Sequence, residues 1–121
     1  MPAASLGDHD RAIIRSHFSA DEGLTWRPST TVLEDPAASL MQPSLTRRAD
    51  GALGLTYSRL LDHQTASKHF TWSTDEGKTW NKAVQVSHGE CAYMTGAHDR
   101  LLTLKSGRLL ALLHGKVLIG P

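Results

Sequence analysis

Two adjacent acid pairs, Asp21-Glu22 and Asp75-Glu76, are the first residues in this chain whose types suggest chemistry. Paired carboxylates suit glycoside hydrolysis, where one protonates the leaving group and the other attacks or activates water. That reaction needs the two groups to face each other across a sugar. Neighbours on a surface turn do not, so the pairs match a glycosidase in composition alone. Other catalytic patterns are missing. The seven histidines, at 9, 17, 63, 69, 88, 98 and 114, form no H-E-x-x-H pair or equivalent metal-binding spacing. There is no G-x-S-x-G elbow and no phosphate loop. The single Cys91 excludes an internal disulfide and a cysteine-rich metal site, and reads as a small buried hydrophobe. Arg47-Arg48 is a basic pair whose members alternate to opposite faces of a strand, one at the surface and one in a salt bridge.

The acid pairs belong to a repeated octet. Ser19-Ala20-Asp21-Glu22-Gly23-Leu24-Thr25-Trp26 recurs 54 residues later as Ser73-Thr74-Asp75-Glu76-Gly77-Lys78-Thr79-Trp80. The shared pattern S-x-D-E-G-x-T-W is that of a tight turn. Asp75 can accept hydrogen bonds from backbone N–H groups just ahead of it. Gly77 can take a positive φ. Ser73 and Thr79 can tie the two arms together, and Trp80 opens the next strand as an apolar anchor. Repetition near 50 residues points to stacked or radial sheet units.

The surrounding elements read as short strands. Residues 11–18 alternate, with Ala12, Ile14, Ser16 and Phe18 on one face. Residues 26–33 return from the first octet, and Glu34-Asp35-Pro36 ends them. Residues 37–41 read as a short helical turn or irregular chain. Pro43 opens a strand to about Arg48, Asp50-Gly51 is a hairpin turn, and residues 52–59 follow. Leu53, Leu55 and Tyr57 share one face of that strand, and Ala52, Gly54, Thr56 and Ser58 the other. Small residues there allow close packing on another sheet. Residues 68–72 and 82–87 flank the second octet. Residues 43–87 thus make one four-stranded antiparallel unit. Residues 100–104, Ser106-Gly107 and 108–113 begin it again, with the turn glycines Gly51 and Gly107 separated by 56 positions. The run Leu109-Leu110-Ala111-Leu112-Leu113 fits a doubly buried strand without its partner.

Charge and length narrow the classes. The 121 residues carry 13 basic and 12 acidic groups, which gives no reason to expect a nucleic-acid partner. Nothing approaches 18 uninterrupted apolar residues, so no membrane span is expected. Met1-Pro2-Ala3-Ala4-Ser5 lacks a basic region followed by an apolar core, so no secretion signal is expected.

The octet, complete in both copies, resembles the Asp-box or BNR repeat that marks sialidases and related six-bladed β-propellers. Further similarity lies in Met41-Gln42-Pro43-Ser44-Leu45. It extends to Thr95-Gly96-Ala97-His98-Asp99-Arg100 leading into Leu104-Lys105-Ser106-Gly107-Arg108-Leu109, where bacterial sialidase-like segments carry Asn in place of His98. The resemblance covers roughly residues 7 to 114. It implies an all-β fold over residues 1–121: a partial six-bladed propeller of about two four-stranded antiparallel blades. The structural Asp-box residues would be Ser19, Asp21, Gly23, Thr25 and Trp26, then Ser73, Asp75, Gly77, Thr79 and Trp80. Two blades cannot close a ring, which implies either a piece of a longer protein, the favoured reading, or assembly with copies of itself.

Sialidases of this kind cleave terminal α-linked sialic acid with retention, using three arginines, a tyrosine–glutamate nucleophile and an aspartate acid/base. The resemblance places the acid/base in Gly7-Asp8-His9-Asp10, with Asp8 and Asp10 as alternatives, and makes Arg100 a sugar-binding arginine. Arg100 paired with Asp99 or Glu90 is the competing expectation. Tyr57 and Tyr93 do not match the nucleophile, and Tyr57 should pack in a strand. The glutamate, the nucleophile and further arginines have no counterpart, so the chain alone should be inactive. The expected partners are a sialylated glycan or other acidic sugar and the missing blades, with no metal or other cofactor. A non-catalytic propeller binding glycan or protein is the alternative, and an enzyme of the same repeat family with a different anionic substrate is a third.

Overall fold

The computed structural model describes residues 11–62, 65–87, 93–95 and 100–116. They form ten β-strands and no helix. β1 (Ile14–Ser16) and β2 (Thr30–Leu33) pair antiparallel around the first octet. β3 (Ser39–Arg47), β4 (Leu53–Leu60), β5 (Ala66–Ser73) and β6 (Val84–Gln85) form a four-stranded antiparallel meander in chain order. β7 (Tyr93–Thr95) joins β5 through one parallel bridge, Ala66 to Tyr93, and β10 (His114–Lys116) pairs with β7. β8 (Leu101–Thr103) and β9 (Leu109–Ala111) form a separate hairpin.

Strand bounds differ from the sequence reading in instructive ways. Residues 39–41 are strand, not a helical turn, so β3 begins before Pro43. A register shift between Met41 and Ser44 absorbs the proline, with Gln42 at φ 57°. β3 ends the strand order of its sheet among the described residues, with β4 as its ladder partner, and an edge strand with a bulge tolerates a residue that lacks an N–H. Trp26 and Trp80 do not open the strands after their turns: β2 starts at Thr30 and β6 at Val84.

The sheet's core is small. Ile14, Leu40, Leu55 and Tyr57 form its buried apolar cluster, with Val32, Leu33, Trp80 and Ala83 packed around it. Ile14, Val32 and Leu33 come from the first hairpin, so one face of β3–β4 packs on β1–β2. Arg59 Nε donates to Asp35 Oδ2 at 2.6 Å and ties β4 to the residues after β2. That charged contact holds the Asp35 carboxyl below its usual range. The opposite face of β4 carries small and polar side chains, among them Thr56 and Ser58, both buried. Its other neighbour is β8: Thr46 and Thr103 share a hydroxyl contact at 3.3 Å, and Thr103 Oγ1 donates to Arg47 O at 2.7 Å. Both arginines of the basic pair are bridged, Arg47 to Glu76 and Arg48 to Asp50, where a single bridge was expected.

Gly54 shows how close this packing is. A Cβ there would lie 2.9 Å from the Phe70 ring, which stacks on Trp72 at 6.1 Å between centroids. Overpacking of this kind costs about 1–3 kcal/mol. Gly54→Ala should therefore lower the urea midpoint by that order, and Phe70→Leu in the same chain should recover part of the loss. A Gly54→Ala melt superimposable on the parent's would contradict the close approach.

Candidate functional site

The two octets fold into the same hydrogen-bonded knot. In the first, Ser19 Oγ donates to Asp21 Oδ1 at 2.8 Å and accepts from the Gly23 N–H at 2.8 Å. Thr25 donates its N–H to Asp21 Oδ1 at 2.8 Å and its hydroxyl to Asp21 Oδ2. In the second, Ser73 Oγ donates to Asp75 Oδ1 at 2.7 Å and accepts from Gly77 N–H at 2.9 Å. Thr79 donates its N–H to Asp75 Oδ1 at 2.9 Å and its hydroxyl to Asp75 Oδ2. Each aspartate thus receives several donors inside its own turn. The hydrogen bonds, led by the threonine hydroxyl, draw both carboxyls down to about 2. Carboxylates held this way are poor proton donors near neutral pH, which removes Asp21 and Asp75 from acid catalysis.

The backbone explains the two residues after each aspartate. Gly23 and Gly77 sit at φ 93° and 85°. Glu22 and Glu76 sit at φ 60° and 59°, a left-handed geometry that L-residues resist. The knot holds them there. Glu76 then projects outward and takes two hydrogen bonds from Arg47, at 2.7 and 3.1 Å, near the β3–β4 turn. Both partners are more than half exposed, so this ion pair adds little stability.

The tryptophans differ. Each ring lies over its turn glycine, 3.7 Å from the position a Cβ would take. Trp80 packs against the core cluster, whereas Trp26 is 61 % exposed and donates Nε1–H to Gly23 O at 2.9 Å. The second unit has β1–β2 to cover its tryptophan. The first octet's tryptophan has no such cover among the described residues.

Away from the octets, β4 and β5 carry a buried polar row. Lys68 is 1 % exposed, and its Nζ donates to Gln42 O and Ser58 Oγ, both at 3.4 Å. Ser58 in turn donates to Gln42 Oε1 at 2.7 Å. Burial pushes the Lys68 ammonium down to about 8. This row braces the left-handed Gln42 bulge. Strand alternation around Lys68 reads as an ordinary surface lysine, and only the neighbouring strands reveal its burial.

Of the sequence candidates, Arg100 is exposed, and its backbone N–H donates to Ser44 Oγ at 3.3 Å across β8 and β3. Arg100 is therefore an exposed residue anchored by its backbone where the start of β8 meets β3. Asp8, Asp10, Glu90, Cys91, His98 and Asp99 lie outside the described residues, as does the side chain of Tyr93. Tyr57 is buried and stacks on His69 at 5.6 Å, with burial raising the phenol above its usual range. It is a packing residue. No group of three or more metal-binding side chains occurs among the described residues.

The knot predicts acid behaviour. A carboxyl lowered from 3.8 to about 2 contributes stability that is complete above about pH 4 and lost as pH falls through 2. Asp75→Asn should lower the thermal midpoint at pH 7 and flatten the decline between pH 4 and 2. Gly77→Ala should cost about 1 kcal/mol or more through its positive φ. Unchanged melting curves for both variants would show that the knot does not hold the turn.

A search of curated proteins found no match. The model of the BNR repeat-like domain matches residues 3–118, nearly the whole chain. With two complete octets in the same knot, the chain belongs to the BNR repeat-like domain family.

Proposed function

We propose that the chain forms two blades of a sialidase-type propeller that binds terminal sialic acid or a related acidic sugar, and that the complete propeller hydrolyses the α-linkage with retention. The observation that carries the reading is the repeated unit. The same octet knot links β1 to β2 and, 54 residues later, the last two strands of the meander, β5 and β6, a repetition that fits a radial arrangement. Membership of the BNR repeat-like family supports it. Such a ring gathers loops from several blades at one end, and Arg100 is assigned to that end.

Arginine suits an acidic sugar because its planar fork meets a carboxylate through two parallel hydrogen bonds. Asp8 or Asp10 takes the acid/base role in this reading. The nucleophilic half of the reaction has no candidate among the described residues, since Tyr57 is packed away and the octet acids are tied into their turns. Retaining hydrolysis needs both halves on opposite sides of the scissile bond. In this reading further blades supply the second half. That absence also favours a specific second reading, a glycan-binding propeller without turnover.

Purified chain should release no fluorescent aglycone from an α-sialoside above a protein-free blank. Saturation-transfer NMR should nevertheless detect contact with free sialic acid, and Arg100→Lys should weaken it by about tenfold while leaving the melting curve unchanged. Equal contact by parent and variant removes Arg100 from the site. Saturable turnover that disappears in Asp8→Ala or Asp10→Ala overturns the claim that this chain lacks the nucleophilic half. An assembly completed with further blades separates the two readings: turnover marks the hydrolase, and binding alone marks the lectin-like propeller.

A further inference from the structure

One face of β4 and β5 carries a small titratable cluster where the first hairpin meets the meander. Tyr57 lies opposite His69 in the ladder and Arg59 opposite Ser67, so all four side chains share that face. The half-buried His69 ring stacks on Tyr57 at 5.6 Å between centroids and 17° between planes. Its Nε2 lies 2.8 Å from Ser67 Oγ. The same face holds the hairpin by two kinds of contact. Ile14, Val32 and Leu33 pack around Leu55 and Tyr57. Asp35, just after β2, accepts from Arg59 Nε at 2.6 Å, and its backbone oxygen accepts from Arg11 Nε at 3.3 Å. A backbone bond crosses the joint beside them, from Leu40 N–H to Ala12 O at 2.9 Å. Tyr57 thus belongs both to the apolar joint and to the stack with His69.

The charges around His69 are unequal. Among the described residues, the titratable and charged groups facing it are Tyr57 and Arg59 on β4 and Asp35 after β2. β6 places the uncharged Gln85 opposite it, and Arg11 and Glu34 pair with each other next to Asp35. The Asp35 carboxylate is already engaged by Arg59 Nε and by the Ala37 N–H. A proton on His69 puts a second cation beside Arg59, on a half-buried ring, with one shared carboxylate to offset both.

We infer that His69 is a pH-sensitive catch on this joint: when its imidazole takes a proton, the first hairpin loosens from the meander while both octet turns stay closed. Burial, and then the Arg59 charge, hold the imidazole below its ordinary value of 6.5, and Asp35 opposes them in part. A base lowered in the folded state loses stability on protonation. The loss starts as pH falls below about 6.5 and is complete below the lowered value. The Asp35 carboxyl is held below its usual range and the octet aspartates at about 2, so all three stay charged while His69 titrates. The joint therefore yields before the turns do. The catch is built from contacts within the chain and does not rest on the blade reading.

NMR of the full chain between about pH 7.5 and about pH 4.5 tests this with two signals, a range that spans ordinary histidine titration. The His69 ring protons follow its protonation. Exchange of the Leu40 N–H, corrected for the intrinsic rate at each pH, follows opening of the joint. Leu40 protection should fall severalfold with the same midpoint as the His69 ring, while Thr25 and Thr79 N–H protection holds. His69→Phe keeps a ring on Tyr57 and removes the titrating group, so Leu40 protection should then stay level across the range. The two signals of the parent chain decide the matter even if that variant fails to fold. Leu40 protection that ignores the His69 titration overturns the proposal. So does a loss that persists in His69→Phe, or one shared equally by Thr25 and Thr79.

Discussion

The aspartate at the centre of each octet is the interaction on which the structure depends. Asp21 and Asp75 gather the hydroxyl and N–H of a threonine and the hydroxyl of a serine, all within seven residues of chain. The carboxylate must be charged and the following glycine must take a left-handed φ for the chain to reverse in so little space. Every one of these bonds is local, so none of them needs a partner from elsewhere in the sheet. It then sets where the next tryptophan lands and how far away the returning strand begins.

From that turn follow the two kinds of face in the molecule. One side of β4 offers Leu55 and Tyr57 to the hairpin before it, and burial of apolar surface joins those units. The other side offers Thr56 and Ser58, with Gly54 making room for Phe70. Hydroxyl and backbone contacts join it to β8. The meander is thus covered on both faces, while the first turn exposes Trp26 and the β8–β9 hairpin exposes leucine side chains. Arg100 lies where the second of these faces meets the residues before β8, with its N–H on Ser44 Oγ.

What was legible in the sequence follows the range of the interactions. The octets, the Asp50-Gly51 and Ser106-Gly107 turns and the alternation of residues 52–59 are local patterns, and their strands lie where those patterns put them, to within a few residues. The strand at residues 39–41 was not legible, because Pro43 reads as a strand opener and the bulge that accommodates it depends on β4. Burial of Lys68 and the Asp35–Arg59 bridge were hidden too. Each joins residues 10 or more positions apart whose proximity exists only after the sheet forms. The second ion pair of Arg47-Arg48 depends likewise on Glu76 arriving from the other turn. For the site, the sequence names Arg100 and the two aspartates of the opening loop through resemblance, and of these only Arg100 lies among the described residues.

Amide hydrogen exchange resolved by NMR tests the central claim most directly. The N–H groups of Gly23, Thr25, Gly77 and Thr79 each bond to a serine hydroxyl or an aspartate carboxylate, although three of the four residues are exposed. All four should exchange well below the rate of an unstructured chain, in matching pairs across the two octets, with protection fading as pH falls toward 2. Exchange at the unstructured rate in either octet would contradict the claim that one hydrogen-bonded knot, used twice, organises the fold.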